Sequence, residues 1–444
     1  MKHLFRLVCM VSALPLLFAP ADGAWDNRFG LPGADVIKVA EIMNGNLYVA
    51  GYFSSIGNVT AKNVARWDGT NWHALGSGTN CGVNSTVEAM AVDGDNVYVG
   101  GFFTLAGTNT ASYIARWDGT EWHAMGSGTK GYADVKAILV TGGYVYIGGT
   151  FTNMGGIAAK RIARWDGSTW TPVISRGING VNGEVSALAA YGDEIYVGGT
   201  FDQAGPTNVS KIARLNGTNW YPLAGNAVNG VNGQVYSLAV DADGLVYAGG
   251  TIVWAGDTST KYIAQWNGSS WQRLEGVSTN GVNNYVNVIR TQGSTVYVGG
   301  NFSAAGGTNA YHIASWNSGS GWSVFGTLSS NGVDGNSVTA LALDGTNIYV
   351  GGGFQRIGDG GGASSGQPAY NMARWDGAWH PLDAGNKGLQ GDVKALAAEG
   401  GNLYAGGAFT AGGVKDLRYV ARWDGTNWWP LPDGTNNGII GASV

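Results

Sequence analysis

The residues best equipped for chemistry are few and scattered. Beyond the first twenty-odd residues the histidines are His73, His123, His312 and His380. Three of them directly follow a tryptophan, at Trp72, Trp122 and Trp379, inside a phrase that recurs along the chain. Equivalent places in successive repeats lie too far apart for three imidazoles to meet on one metal. There is no zinc spacing and no serine-nucleophile motif. Asp241-Ala242-Asp243-Gly244 opens like a calcium loop but lacks the remaining oxygen ligands, and it reads as a turn. Cys81 is alone once Cys9 is set aside with the leader described below, so no intrachain disulfide forms. These residues imply no catalytic set, no metal and no cofactor. A glycoside hydrolase or lyase would need two carboxylates ~5–10 Å apart.

What must position any such group is an internal repeat. A tyrosine phrase recurs eight times, around Tyr48, Tyr98, Tyr146, Tyr196, Tyr247, Tyr297, Tyr349 and Tyr404. Each unit carries four short phrases rich in β-branched and aromatic residues. They are Val-x-Ala-Leu-Ala, Tyr-Val-Gly-Gly-x-Phe, Ile-Ala-Arg-Trp and a fourth that opens with a second Trp. Turns join the first phrase to the second. Asp-Gly or Asn-Gly turns, as at Asp118-Gly119, join the third to the fourth, where both central positions are expected to take positive φ. Longer Gly/Ala/Thr/Asn loops join the second to the third and the fourth to the next unit. The pattern predicts an all-β chain, an eight-bladed β-propeller of four-stranded antiparallel blades. Gly-Gly leaves room for a neighbouring blade, the tryptophans fill the wedge between blades, and the Arg before Trp pairs at the surface or between blades. Trp25–Pro32 resembles a fourth phrase and Gly438–Val444 starts a ninth unit, so one terminal segment is expected to pair with the opposite end of the chain.

The phrases resemble the kelch repeat and the propellers of galactose oxidase and of the fungal cortical polarity marker family. They are most similar to secreted bacterial proteins built from repeats of the LYVGGxFTxAGG…IARWDGxxW kind. The resemblance spans Trp25–Asn437 and implies a propeller. The copper site of galactose oxidase is not carried over, because this chain has one Cys outside the leader and dispersed histidines.

A residue repeated in every unit serves the ring, so function is expected where the units differ. The long-loop face is the candidate binding face. On it stand Trp254 and Asp257, in a loop where other units carry small or polar residues in place of Trp254, and Arg356 and Asp359, in the longest loop. An exposed Trp can stack on a sugar or anchor a partner, or else cover a blade edge. Asn232, Asn283 and Asp334 belong to Asn-Gly-Val-Asn/Asp segments that act as turns or ring the channel mouth with oxygens. The expected function is a non-catalytic propeller, a monomer, that binds an unknown protein or polysaccharide. The alternative is a carbohydrate-active hydrolase or lyase with carboxylates at the channel mouth.

Composition narrows the classes further. The chain has 444 residues, 76 Gly, 10 Pro, 18 Trp and a net charge of −5. Charged residues are 12%, half the usual ~25%. That excludes a disordered chain, a collagen and a helical protein. The absence of basic tracts excludes nucleic-acid binding by phosphate neutralisation. Residues 1–23 read as a signal peptide, with Lys2 and Arg6 before the apolar run Leu7–Ala19. The expected organisation is therefore 1–23 signal peptide and 24–444 a single propeller, located outside the cell, in the periplasm or on the cell surface, with no membrane span.

Overall fold

The computed structural model describes residues 36–440, except 57–58, 69–70, 79–80, 127–132, 225–228, 328–329, 336, 359–365, 370, 382–388, 401, 413–414, 418, 426 and 432–438. The expected signal peptide and Trp25–Pro32 lie outside the described residues. The fold is an eight-bladed β-propeller whose four-stranded blades are antiparallel meanders, with no α-helix among the described residues. No described helix is long and apolar enough to cross a membrane. Blade four shows the pattern: Val185–Tyr191, Glu194–Gly199, Ile212–Asn216 and Asn219–Pro222, paired in that order.

The first strands form the inner ring, each packed against the first strands of the two neighbouring blades. The Gly-Gly step makes this approach possible. A Cβ on Gly198 would lie 2.6 Å from Val235 of the next blade, and one on Gly406 would lie 2.4 Å from Ile37. The last contact joins blade eight to blade one. Outside this ring the paired tryptophans fill the widening wedges, as in Trp117–Trp122 with ring centroids 5.5 Å apart. The fourth-strand Trp donates its indole N–H to a carbonyl of the preceding blade: Trp122 to Leu75 at 2.6 Å, Trp271 to Leu223 at 2.8 Å, Trp322 to Leu274 at 2.9 Å.

Three expectations are corrected. The second-to-third connections are ordered two-stranded ribbons rather than loops, such as Gln203–Ala204 with Thr207–Asn208. The third-to-fourth hairpins mostly have four-residue loops in which only Gly has positive φ; Gly119 has φ 99°. There the Asp side chain holds the turn, since Asp118 Oδ1 accepts the N–H groups of Thr120 and Glu121. The Arg before Trp pairs within its own blade, Arg116 with Asn96 and Arg214 with Glu194, because the antiparallel register sets it across from the second strand. Among the terminal segments, Ile439–Ile440 pairs with Ser55–Ile56 of the first blade, as the ninth-unit reading expected.

Candidate functional site

Each first strand begins on the face that carries the ribbons, because the connection from the preceding fourth strand enters there. Just inside that entry every first strand has a β-bulge. The residue skipped by the ladder is Lys38, Glu88, Lys136, Ser186, Tyr236, Asn287, Thr339 and Lys394 in blades one to eight. A bulge re-aims a side chain out of the pleat. All eight are polar or tyrosine, while the residues on either side are apolar or small. The mouth of the central channel is therefore lined by a position of the inner ring that changes in kind between blades.

On blades one to four this position builds a charged cluster. Lys38 reaches Glu88 of the next blade. Lys136 lies 3.0 Å from Glu184 and 4.0 Å from Asp134, so the two carboxylates stand within about 7 Å of each other. Ser186 donates to Glu184 at 3.0 Å. The Asp134 side chain is only 6% exposed, and its Oδ1 is buried with no hydrogen-bond partner. Burial pushes Asp134 up to about 7, with the Glu88 and Glu184 carboxylates adding and Lys136 and Lys38 opposing. Lys38 of blade one acts on Asp134 of blade three, which requires the cluster to gather toward the axis.

A second ring surrounds the first. The residue one before each third strand takes left-handed backbone: Asn63, Tyr113, Arg161, Lys211, Tyr262, His312, Asn371 and Tyr419, with φ from 61° to 71°. Its N–H bonds the carbonyl of the buried Phe (Ile252 in blade five) that ends the second phrase, and its carbonyl accepts the N–H of the second Gly, as Tyr113 does with Phe103 and Gly101. Left-handed backbone costs a non-glycine residue roughly 1 kcal/mol. The backbone is invariant around the ring while the side chain changes in kind.

Blades five and six form an aromatic sector of this mouth. Tyr285 immediately precedes the first strand of blade six and is 41% exposed. Tyr262 meets it edge-on, centroids 5.7 Å apart. Burial raises the Tyr236 phenol, and neighbouring Tyr285 raises it further. Asn287 donates to Asn301 at 2.9 Å and to the Val338 carbonyl at 3.1 Å. His312 is buried, which pushes its pKa down, against the opposing pull of its Gly300 bond and of Asp334. On the opposite side, Tyr52 and Phe102 are exposed at the ends of their second strands.

Trp254 is 49% exposed in the ribbon Trp254–Ala255. Asp257 lies at the turn of that ribbon and is exposed. Asn232 Oδ1 accepts the N–H groups of Val253 and Trp254, Asn283 those of Ser303 and Ala304, and Asp334 those of Gln355 and Arg356. These three oxygens hold ribbons in place rather than ring the channel. Asn84 and Asn182 do the same in earlier blades. Arg356 donates to the Gly366 carbonyl at 2.8 Å, across the neck of its long loop. Asp359 lies outside the described residues. Sequence reasoning missed both mouth rings. The signal for the inner one was present, a polar residue or tyrosine directly after the opening Val or Ile of each first phrase.

The histidines after Trp serve the opposite face. His73, His123 and His380 lie 2.6, 2.5 and 2.8 Å from Asp68, Asp118 and Asp376. In blade two, Asp118, Glu121 and His123 offer three ligand atoms within 4.8 Å of one another. Partial burial presses Asp118 upward, but the Glu121 N–H, His123 and the Thr120 groups hold it well below the usual carboxylate range. Blades one and seven repeat the Asp–His pair with Asn71 and Ala378 where blade two has Glu121, so the pair braces its turn without a second acid. The Asp241 turn is likewise structural, Oδ1 accepting from Asp243 and Leu245.

Comparison with known proteins bears on the fold. A family described as a domain of unknown function (DUF5122) beta-propeller matches residues 44–67 and 193–219. No curated protein matches the sequence. The computationally designed Ika8 protein superposes with a TM-score of 0.54 at 15% identity, over 89% of this chain and 98% of that one. The extracellular domain of the one component system BT4673 from B. thetaiotaomicron gives 0.39 at 13% identity, over 90% of this chain and 53% of its own. PorZ, a bacterial surface component of the type-IX secretion system of Porphyromonas gingivalis, gives 0.45 at 16%, over 91% and 57%. This chain thus spans little more than half the length of those two natural proteins.

Proposed function

We propose that this eight-bladed β-propeller is an exported binding protein that takes a protein or polysaccharide partner at the ribbon-face mouth of its channel. One observation carries the reading: two rings of fixed backbone geometry carry side chains that change in kind around the ring, six kinds at the eight bulges and five at the eight left-handed positions. A repeated scaffold with varied side chains at one mouth is how a rigid ring presents a specific surface. The opposite face supports the reading by contrast, since its turns repeat Asp-Gly with the Asp side chain closing its own loop. Export rests on the charged start and apolar run of residues 1–23.

The enzymatic reading has one observation in its favour. Asp134, pushed up to about 7, and Glu184 stand within about 7 Å of each other, inside the range of glycosidase carboxyl pairs. Against it, Glu184 is engaged by Lys136 and Ser186, and Asp134 Oδ1 has no surface to offer a substrate.

The test is a screen of cell-surface polysaccharides and proteins with the intact protein and two variants. Phe102→Ala alters the ribbon face and His123→Ala the turn face. A partner lost with the first and kept with the second supports the proposal. Loss only with the second places binding on the turn face and overturns it. Turnover of any glycan that stops in Asp134→Asn would favour the enzyme.

A further inference from the structure

We propose that the sector of the mouth formed by Tyr236, Tyr262 and Tyr285 is a subsite for one residue of an uncharged saccharide chain. The inference rests on the ribbon-face reading and deepens it by naming the ligand class. Tyr285 is the exposed member, and the edge of Tyr262 fixes its plane. Tyr262 is itself immobilised, its backbone at φ 69° and bonded to Ile252 and Gly250 on either side. A ring held this way loses little freedom when a ligand stacks on it. The C–H face of a pyranose packs against such a ring, and its hydroxyls need planar amide partners around the edge.

The sector supplies them. Gln234, Asn284, Asn287 and Asn301 sit at or beside the same entry, where other blades carry Asp134, Glu184 and Asp392. The mouth positions of blades five and six contain no carboxylate and no amine. His312, the one titratable base among them, is buried, and burial pushes its pKa down, toward the neutral form. At the bulge, Lys38 pairs with Glu88, Lys136 with Glu184 and Lys394 with Asp392 at 3.1 Å, and the cations of the second ring, Arg161 and Lys211, stand on blades three and four, outside this sector. Lys261, beside Tyr262, is held by the Thr279 hydroxyl, and the tyrosine positions themselves offer a neutral polyol a flat ring and amides.

Isothermal calorimetry with cellohexaose, laminarihexaose, xylohexaose and mannohexaose tests this, with hexagalacturonate as the anionic control. At least one neutral hexamer is expected to bind. Tyr285→Ala should weaken it by about tenfold or more, at an unchanged thermal midpoint, and Tyr285→Trp should retain it. Asn301→Asp, which changes charge but not shape, should also weaken it. Affinity should hold across an approximately tenfold range of ionic strength. Binding of none of the neutral hexamers, preference for the anionic one, or affinity unchanged in both Tyr285→Ala and Asn301→Asp would overturn the proposal. A protein partner that Phe102→Ala abolishes, with no saccharide bound, leaves the ribbon-face reading standing and removes this one. Should Tyr285→Ala fail to fold, Asn301→Asp and Tyr285→Trp decide the matter.

Discussion

Trp72 donates its indole N–H to the carbonyl of Leu431, 3.0 Å away and 359 residues later in the chain. The same bond links each Trp122, Trp271 and Trp322 to the blade before it, so here blade eight stands before blade one. The ring is thus closed by the device that joins its interior blades. Gly406 against Ile37 and Ile439–Ile440 against Ser55–Ile56 close the same seam at two other radii.

Trp72→Phe keeps an aromatic wedge but leaves the Leu431 carbonyl without its donor. We expect a loss of about 1–3 kcal/mol, read as a lower denaturation midpoint. Trp220 is the internal control, because its buried indole nitrogen has no hydrogen-bond partner among the described residues. Trp220→Phe should cost measurably less. Equal losses for the two variants would show that the bond contributes nothing to closure.

Gly406→Ala places a methyl 2.4 Å from Ile37 Cγ2. Overpacking of this kind costs typically ~1–3 kcal/mol. Ile37→Ala makes room, so the double variant should lose less than the sum of the single ones. Strict additivity in a double-mutant cycle would remove the steric account of the Gly-Gly step.

Asp134 makes stability pH-dependent with a definite sign. Its folded pKa is raised from 3.8 to about 7. Below the unfolded value both states hold the proton and nothing is lost. As pH rises toward 7 the unfolded chain releases its proton while the folded one must retain it or bury a charge. Stability therefore falls between about pH 4 and about pH 7, on the order of 1.4 kcal/mol for each pH unit crossed, and levels above. Thermal midpoints of the native protein should show this slope and those of Asp134→Asn should lack it.

Asn232→Ala removes the acceptor for the N–H groups of Val253 and Trp254. We expect faster amide exchange at these two positions and a loss of about 1–3 kcal/mol. Asn232→Asp should behave as the native protein, since Asp334 fills this role in blade seven. Unchanged exchange in Asn232→Ala would show that the ribbon stands without its brace.

The blade count, the strand order and the glycine step were legible because each is a local pattern copied eight times. The left-handed ring was not, because no glycine marks it. Asn63, Tyr113, Arg161 and Lys211 share no side-chain chemistry, and only hydrogen bonds from both neighbours hold them at positive φ. The third-to-fourth turns were misread because Asp-Gly also suits a longer loop in which Asp caps its own backbone. Asn232, Asn283 and Asp334 were selected for their oxygens, and those oxygens face N–H groups some twenty residues away.

The sequence by itself determined an eight-bladed ring, since periodic glycine, tryptophan and turn residues admit one way of stacking identical meanders. Only the tertiary structure decided what the mouth presents. Glu88, Asp134 and Glu184 lie about fifty residues apart and carry no common motif. They meet because closing the ring sets the same bulge, or the residue beside it, of successive blades around one axis. There burial, and not residue type, keeps Asp134 protonated toward neutral pH. The same closure gathers Tyr236, Tyr262 and Tyr285 from two blades into one neutral aromatic sector.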